Sequence, residues 1–186
     1  MARNQLRIIA GEWRSRKLSF ADVEGLRPTP DRVRETLFNW LAPVMAGARC
    51  LDPFAGSGAL GLEALSRGAG EVMMLDLSPK VVKQLKENLQ LLGCDRASVL
   101  QQDAVNYLKQ PPEQPFDIVF LDPPYRKDLI RACIELLAKQ NWLSEGARVY
   151  LEIESEAELP TLPDNWELTR SKKSGQVAYH LAIVGA

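Results

Sequence analysis

Four aspartates recur through the middle of the chain where they could act together, namely Asp52, Asp76, Asp103 and Asp122. Each ends or closely follows a short apolar run of the kind that makes a buried strand, over residues 48–52, 71–76, 97–102 and 116–122. Ligands of open parallel sheets lie beyond the carboxyl ends of the strands, so acids at four such ends are expected to meet around one crevice. A single Asp there is an ordinary helix cap, but four in succession ask for another reason. The first of them opens the loop Asp52-Pro53-Phe54-Ala55-Gly56-Ser57-Gly58-Ala59-Leu60-Gly61. Its glycines fit G-x-G-x-x-G between a strand and a helix, a spacing that brings backbone close to a ligand. Asp76 follows Gly56 by 20 residues, where an acid accepts hydrogen bonds from ribose hydroxyls. On these features alone a nicotinamide dinucleotide and an adenosyl ligand fit equally well.

Two features separate these ligands. Asp52 lies inside the loop, where a carboxylate repels a pyrophosphate and suits a ligand carrying an ammonium group. Asp122-Pro123-Pro124-Tyr125 ends the strand over 116–122. Two prolines remove two amide donors, leaving carbonyls and a carboxylate as acceptors with a Tyr ring as a wall. Such a cradle matches a planar NH2 group, although a strand-ending turn needs no more than this.

The elements that must position these residues follow from periodicity. Residues 6–20 contain two strand-like runs around Gly11, a small hairpin or arm. Pro30 can occupy the first turn of a helix in which Val33, Leu37, Trp40 and Leu41 share a face. Ser57 is expected to cap the next helix, stopped at Gly68, and Ser78 the one after, ended by Gly93. A helix over 103–109, another containing Ile130, Ile134, Leu137 and Ala138, a strand over 148–154 and a hairpin around Ser174-Gly175 complete the pattern. The expected class is α/β: a mostly parallel sheet with helices on both faces and a closing antiparallel hairpin.

The chain has 186 residues, 46% hydrophobic and 25% charged, with a formal net charge of −1. That is one ordinary soluble domain, expected as residues 1–28, a basic arm, and residues 29–186, the α/β domain. No apolar run approaches a membrane span, and residues 1–18 hold no signal-peptide core. Cys50, Cys94 and Cys133 are far apart and His180 stands alone, so no metal site is expected and a reducing cytoplasm is. His180 is expected to be structural. The near-zero charge is an average over unequal parts. Residues 1–20 carry five basic residues against one acid, and 149–169 carry six acids and no base. Such asymmetry marks a nucleic-acid arm or a solvated face.

At its glycine loop and its Asp-Pro-Pro-Tyr segment the chain resembles the class I S-adenosylmethionine-dependent methyltransferases, which have a Rossmann-like, seven-stranded fold. A resemblance over almost the whole length is to the RsmD family, methyltransferases of a guanine N2 in bacterial small-subunit (16S) ribosomal RNA. It rests on residues 7–18 (RIIAGEWRSRKL), Arg27-Pro28-Thr29, residues 31–41 (DRVRETLFNWL) and Gly175-Gln176-Val177-Ala178-Tyr179. Ala10 and Ser15 stand where that family's arm is expected to carry glycines.

The resemblance implies S-adenosyl-L-methionine as cofactor. Asp52 and the backbone of Phe54, Ala55, Gly56, Ser57 and Gly58 would hold its methionine part, and Asp76 its ribose. Leu77 would lie beside the adenine, with Asp103 and the Ala104 amide on the adenine edge. Asp122, counted also among the cofactor's neighbours, and the Pro123 carbonyl would accept from the guanine N2 amine, and Tyr125 would stack on the base. RNA, free or within a ribosomal subunit, would be held chiefly through phosphates by Arg7, Arg14, Arg16, Lys17, Arg27, Thr29, Arg32 and Arg34 of a monomer. Trp13 would either stack on a nucleotide or pack against the domain. The competing readings are an amino-group methyltransferase of DNA adenine or of a protein amide, a nicotinamide-dependent oxidoreductase, and an RNA-binding module without catalysis.

Overall fold

The computed structural model describes residues 4–125 and 128–186. It divides into two compact units, Met1–Asp103 and Ala104–Ala186. Arg3, counted in the basic arm, lies outside the described residues.

The first unit opens with strands β1 (Gln5–Arg7) and β2 (Lys17–Ser19), paired antiparallel with Leu6 opposite Leu18. Helix α1 (Asp31–Met45) follows. It buries Val33, Leu37, Phe38, Leu41 and Met45, and Pro30 sits at its cap, one position outside the first turn. Strand β3 (Arg49–Asp52), helix α2 (Ala59–Ser66), strand β4 (Glu71–Asp76), helix α3 (Pro79–Leu92) and strand β5 (Ala97–Gln101) then alternate. β3 and β5 both pair parallel to β4. The Ser78 hydroxyl accepts from the Val81 amide and Gly93 closes α3 in the left-handed region, the two boundaries the sequence indicates. At α2 the expectation holds only in part. The N-cap position is Gly58, at φ 82°, one residue later than expected, while the Ser57 hydroxyl before it accepts the Ala59 amide at 3.3 Å.

The hairpin is fastened to α2 by a buried charge. The Glu63 carboxylate accepts from the Ile9 and Ala10 amides at 3.0 and 3.1 Å. Beside them the Glu12 amide donates to the Ser66 carbonyl at 2.7 Å, a close approach that a Cβ on Gly11 would block at 1.9 Å. Ser15 takes φ 68°, the left-handed conformation that explains an expected glycine there. Trp13 is 7% exposed, its amide bonded to the Ser66 hydroxyl, so it packs.

Arg34 must be corrected. Its side chain is 1% exposed, which no phosphate ligand can be. Its guanidinium donates to the Thr29 and Arg7 carbonyls at 3.0 and 2.9 Å and pairs with Asp31 at 2.5 Å and Glu63 at 3.4 Å. Thr29, also buried, serves through its carbonyl. Burial lowers the Arg34 pKa and the two acids oppose that. Removing one partner of a buried ion pair costs up to about 3–5 kcal/mol. Here Glu63 keeps Arg67 at 2.8 Å and Asp31 keeps Arg7, while the Thr29 and Arg7 carbonyls lose their donor. Arg34→Met is therefore expected to lower stability by that amount in urea unfolding, with Arg34→Lys a poor rescue because it lacks the planar fork. A loss under about 1 kcal/mol would contradict this reading.

The second unit begins with helix α4 (Ala104–Leu108) and strand β6 (Phe116–Leu121). Helix α5 (Leu129–Leu137), strand β7 (Leu143–Glu154), strand β8 (Trp166–Ser174) and strand β9 (Val177–Val184) follow. β6 and β7 run parallel, and β9 lies antiparallel to both β7 and β8. β6 is buried along most of its length, as its unbroken apolar run indicates. β7 starts five residues earlier than expected, because Leu143 already pairs with Phe116. His180 bonds Ser171 at 2.7 Å across β8 and β9. The large sheet has seven strands in the order β5-β4-β3-β6-β7-β9-β8. Its parallel strands and closing antiparallel hairpin are the expected Rossmann-like arrangement.

Candidate active site

In the first unit, Asp52 and Asp76 are the last residues of β3 and β4, and Asp103 stands two residues beyond β5. The strands are parallel, so the three acids lie at one edge of this unit's sheet. The Gln102 amide bonds the Asp76 carbonyl at 3.0 Å and draws the ends of β4 and β5 together.

Asp76 organises the loop. One carboxylate oxygen accepts the Gly56 amide at 3.0 Å and the other accepts the Ser78 amide at 2.9 Å. Each oxygen retains a lone pair for a further donor such as a ribose hydroxyl. The Ala55 amide bonds the Leu75 carbonyl at 2.9 Å, so the loop is held to β4 at two consecutive residues, Ala55 and Gly56. Gly61 packs its α-carbon on Met74, where a Cβ would come within 2.7 Å of the sulfur. Next to Asp76, Leu77 is 65% exposed, a bare aliphatic surface suited to a flat ring.

Asp52 is 1% exposed. One of its oxygens accepts the Gly61 amide at 3.2 Å, and Oδ1 is buried without a hydrogen-bond partner. Burial pushes its pKa up to about 7 and the Asp76 charge adds to the rise, against the pull of the Gly61 amide. A buried carboxylate oxygen without a donor is costly unless a ligand supplies one. An ammonium group does so and restores the charge, whereas a pyrophosphate would worsen the repulsion. The residues therefore fit the amino-acid end of S-adenosylmethionine and do not fit a dinucleotide.

In the second unit, Asp122 follows β6 directly and is half-buried, Pro123 is buried, and Pro124 is exposed. Tyr125 is 40% exposed. Pro123, Pro124 and Tyr125 border a cavity of about 190 Å³, lined on another side by Ile130, Glu152 and Glu154, and Asp122 directly precedes them. Burial raises the Tyr125 pKa well above its ordinary value, and Glu152 and Asp122 add to that.

Of the expected RNA ligands, Arg7, Arg14, Arg16, Lys17, Arg27 and Arg32 are exposed, Arg7 also pairing with Asp31 at 2.9 Å. Arg34 and Thr29 are not available. Sequence reasoning passed over Glu63 and Glu152. A charge inside the apolar helix 59–66 was the signal for the first; the second was hidden in a run of six acids.

A Rossmann-like sheet, a glycine loop with acids at its strand ends and a proline-stiffened acceptor turn together define a methyltransferase. Comparison with known proteins agrees and narrows the class. A family model described as conserved hypothetical protein 95 matches residues 6–183. Ribosomal RNA small subunit methyltransferase D of Haemophilus influenzae is 52% identical over 183 residues, covering 97% of this chain and 94% of that protein. The protein of the same name from Escherichia coli K12 is 53% identical over 177 residues, covering 95% and 89%. The solved structure of the putative methyltransferase yhhF from Escherichia coli matches with a TM-score of 0.92 at 50% identity, covering 98% of this chain and 99% of that one. The chain belongs to this family, the RsmD methyltransferases.

Proposed function

We propose that the protein transfers a methyl group from S-adenosylmethionine to the exocyclic N2 amine of a guanine in small-subunit ribosomal RNA. The observation that carries this reading is the turn Asp122–Tyr125, whose Pro123, Pro124 and Tyr125 border a cavity of about 190 Å³ directly after the Asp122 carboxylate. The names of the relatives supply the nucleic acid. Asp52, through its unpartnered Oδ1, holds the cofactor's ammonium, with the Phe54–Gly58 backbone beside it. Asp76 takes the ribose, Leu77 covers one face of the adenine, and Asp103 with the Ala104 amide reads its edge. When bound, the cofactor supplies an electrophilic methyl group on a sulfonium that leaves as a thioether.

Guanine N2 is a poor nucleophile because its lone pair is delocalised into the ring. Asp122 and the Pro123 carbonyl accept its two hydrogens and hold the nitrogen toward tetrahedral geometry, lone pair forward. Positioning is then the chief catalytic contribution. The positive charge that develops on N2 is stabilised by the Asp122 carboxylate and the carbonyl dipole. The proton leaves late, to Asp122 or to water, so no strong base is required. Tyr125 stacks on a base that has left its own stack. Residues 1–28 present most of the basic side chains that grip phosphates, and residues 29–186 carry the chemistry in a cytosolic monomer.

The test is tritium transfer from labelled S-adenosylmethionine to unmodified small-subunit ribosomal RNA, assembled small subunits, DNA and protein. Label should enter only the first two, as N2-methylguanine after nuclease digestion. Label in DNA adenine or in protein amide would replace the proposed target while keeping the chemistry.

A further inference from the structure

Among the described residues of the second unit, Glu152 is the only buried polar or charged one, at 6% exposure. It lies near the carboxyl end of β7. The parallel register sets Phe120 beside Tyr150 and Leu121 beside Leu151, so the next step brings Glu152 alongside Asp122. Side chains alternate along strands, so these two acids share the face on which the Phe120 and Tyr150 rings meet at 6.5 Å. One oxygen of Glu152 accepts the Tyr150 hydroxyl at 2.7 Å. No Lys or Arg among the described residues pairs with it. The residue lines the same cavity as Pro123 and Tyr125.

A glutamine would satisfy Tyr150 equally well and cost less to bury. Burial pushes the Glu152 carboxyl up and the Tyr150 hydroxyl opposes that. The hydroxyl engages only one of its two oxygens, so the other is free to meet a donor in the cavity. On the reading that Asp122 and the Pro123 carbonyl hold N2, the atom next to N2 on the base edge is N1. In guanine N1 carries a hydrogen; in adenine and 2-aminopurine it carries a lone pair. We propose that the Glu152 carboxylate accepts the guanine N1–H and thereby selects guanine over purines whose N1 is an acceptor. It is a specificity residue beside the amine-holding turn, oriented by Tyr150.

The test uses small-subunit ribosomal RNA ligated to carry either guanine or 2-aminopurine at the methylated position. 2-Aminopurine keeps the amine and lacks the N1 hydrogen. Wild-type kcat/KM should be lower on 2-aminopurine by about 10–100-fold, the usual discrimination of a base-edge contact. In Glu152→Gln, whose amide donates to a bare N1, the ratio should contract to within about threefold, with S-adenosylhomocysteine affinity and thermal unfolding near wild type. A merely structural Glu152 would leave the ratio unchanged. The inference is overturned if the wild type methylates both RNAs equally, or if the glutamine variant keeps the wild-type ratio. 2-Aminopurine also lacks O6, so the change of the ratio on altering residue 152 is what isolates the N1 contact. Should the glutamine variant fail to fold, Glu152→Ser takes its place, and a ratio unchanged from wild type overturns the inference. No transfer by the wild type to guanine RNA would instead overturn the proposed function, and this inference with it.

Discussion

Asp122→Ala is expected to lose methyl transfer almost completely while S-adenosylhomocysteine still binds to the protein. The carboxylate is proposed to do two things at once: accept a hydrogen from N2 and face the charge that grows there. Removing one preorganised charge-stabilising group lowers kcat by about 10²–10³-fold. Loss of orientation of the nucleophile adds to that, because the target's lone pair returns to the ring. Cofactor affinity, by contrast, is proposed to rest chiefly on Asp52, Asp76 and the glycine loop of the first unit, none of which the substitution alters. Calorimetry and single-turnover tritium transfer on the same preparation read the two effects separately. Asp122→Asn keeps an acceptor oxygen but not the charge, so its rate should fall between those of alanine and wild type. Full activity in Asp122→Ala would remove Asp122 from the mechanism.

What the sequence revealed and what it hid divide along a physical line. Strand ends marked by Asp, Gly and Pro were legible because those residues act locally, through backbone freedom and amide removal. The Ser78 cap and the Gly93 stop were legible for the same reason. The cap of α2 was placed one residue early because Ser57 and Gly58 are both good capping types. Only the positive φ at Gly58 decides between them. β7 was shortened because residues 143–147 break the alternation around Gly146, yet Leu143 is held by pairing to Phe116, 27 residues away. Arg34 shows the limit most clearly. Among so many arginines it looked like one more phosphate ligand, and its value as a buried tie depends on Glu63, 29 positions on. Glu152 was lost in the same way, as a count within an acidic stretch. Local chemistry could be read directly; burial, which gives a charge its meaning, came only with the fold.

Burial also sets the second large effect. Asp52→Asn should weaken S-adenosylhomocysteine binding by about 10–100-fold, the worth of a hydrogen bond to a charged group. The same substitution should make the ligand-free protein more stable at pH 8. The Asp52 pKa, about 7 when folded, lies far above the roughly 3.9 of an unfolded carboxyl. The folded state therefore holds the extra proton between those values. The stability this confers is fully present below about pH 4 and is lost as pH rises through 7. Above pH 7 the folded protein carries a buried carboxylate with an unpaired oxygen. Asparagine keeps an acceptor for the Gly61 amide, removes the charge and should recover on the order of 2–4 kcal/mol in urea unfolding at pH 8, and much less at pH 5. Wild-type affinity for S-adenosylhomocysteine should fall as pH drops below 7, approaching tenfold per unit, because the ammonium then meets a protonated acid. In Asp52→Asn that slope should be absent. Equal stability of the two proteins at pH 8 would show that burial does not burden Asp52. A pH-independent wild-type affinity would show that the carboxylate does not face the ammonium. If both expectations hold, Asp52 is an acid kept at a cost to the fold because the ligand needs its charge.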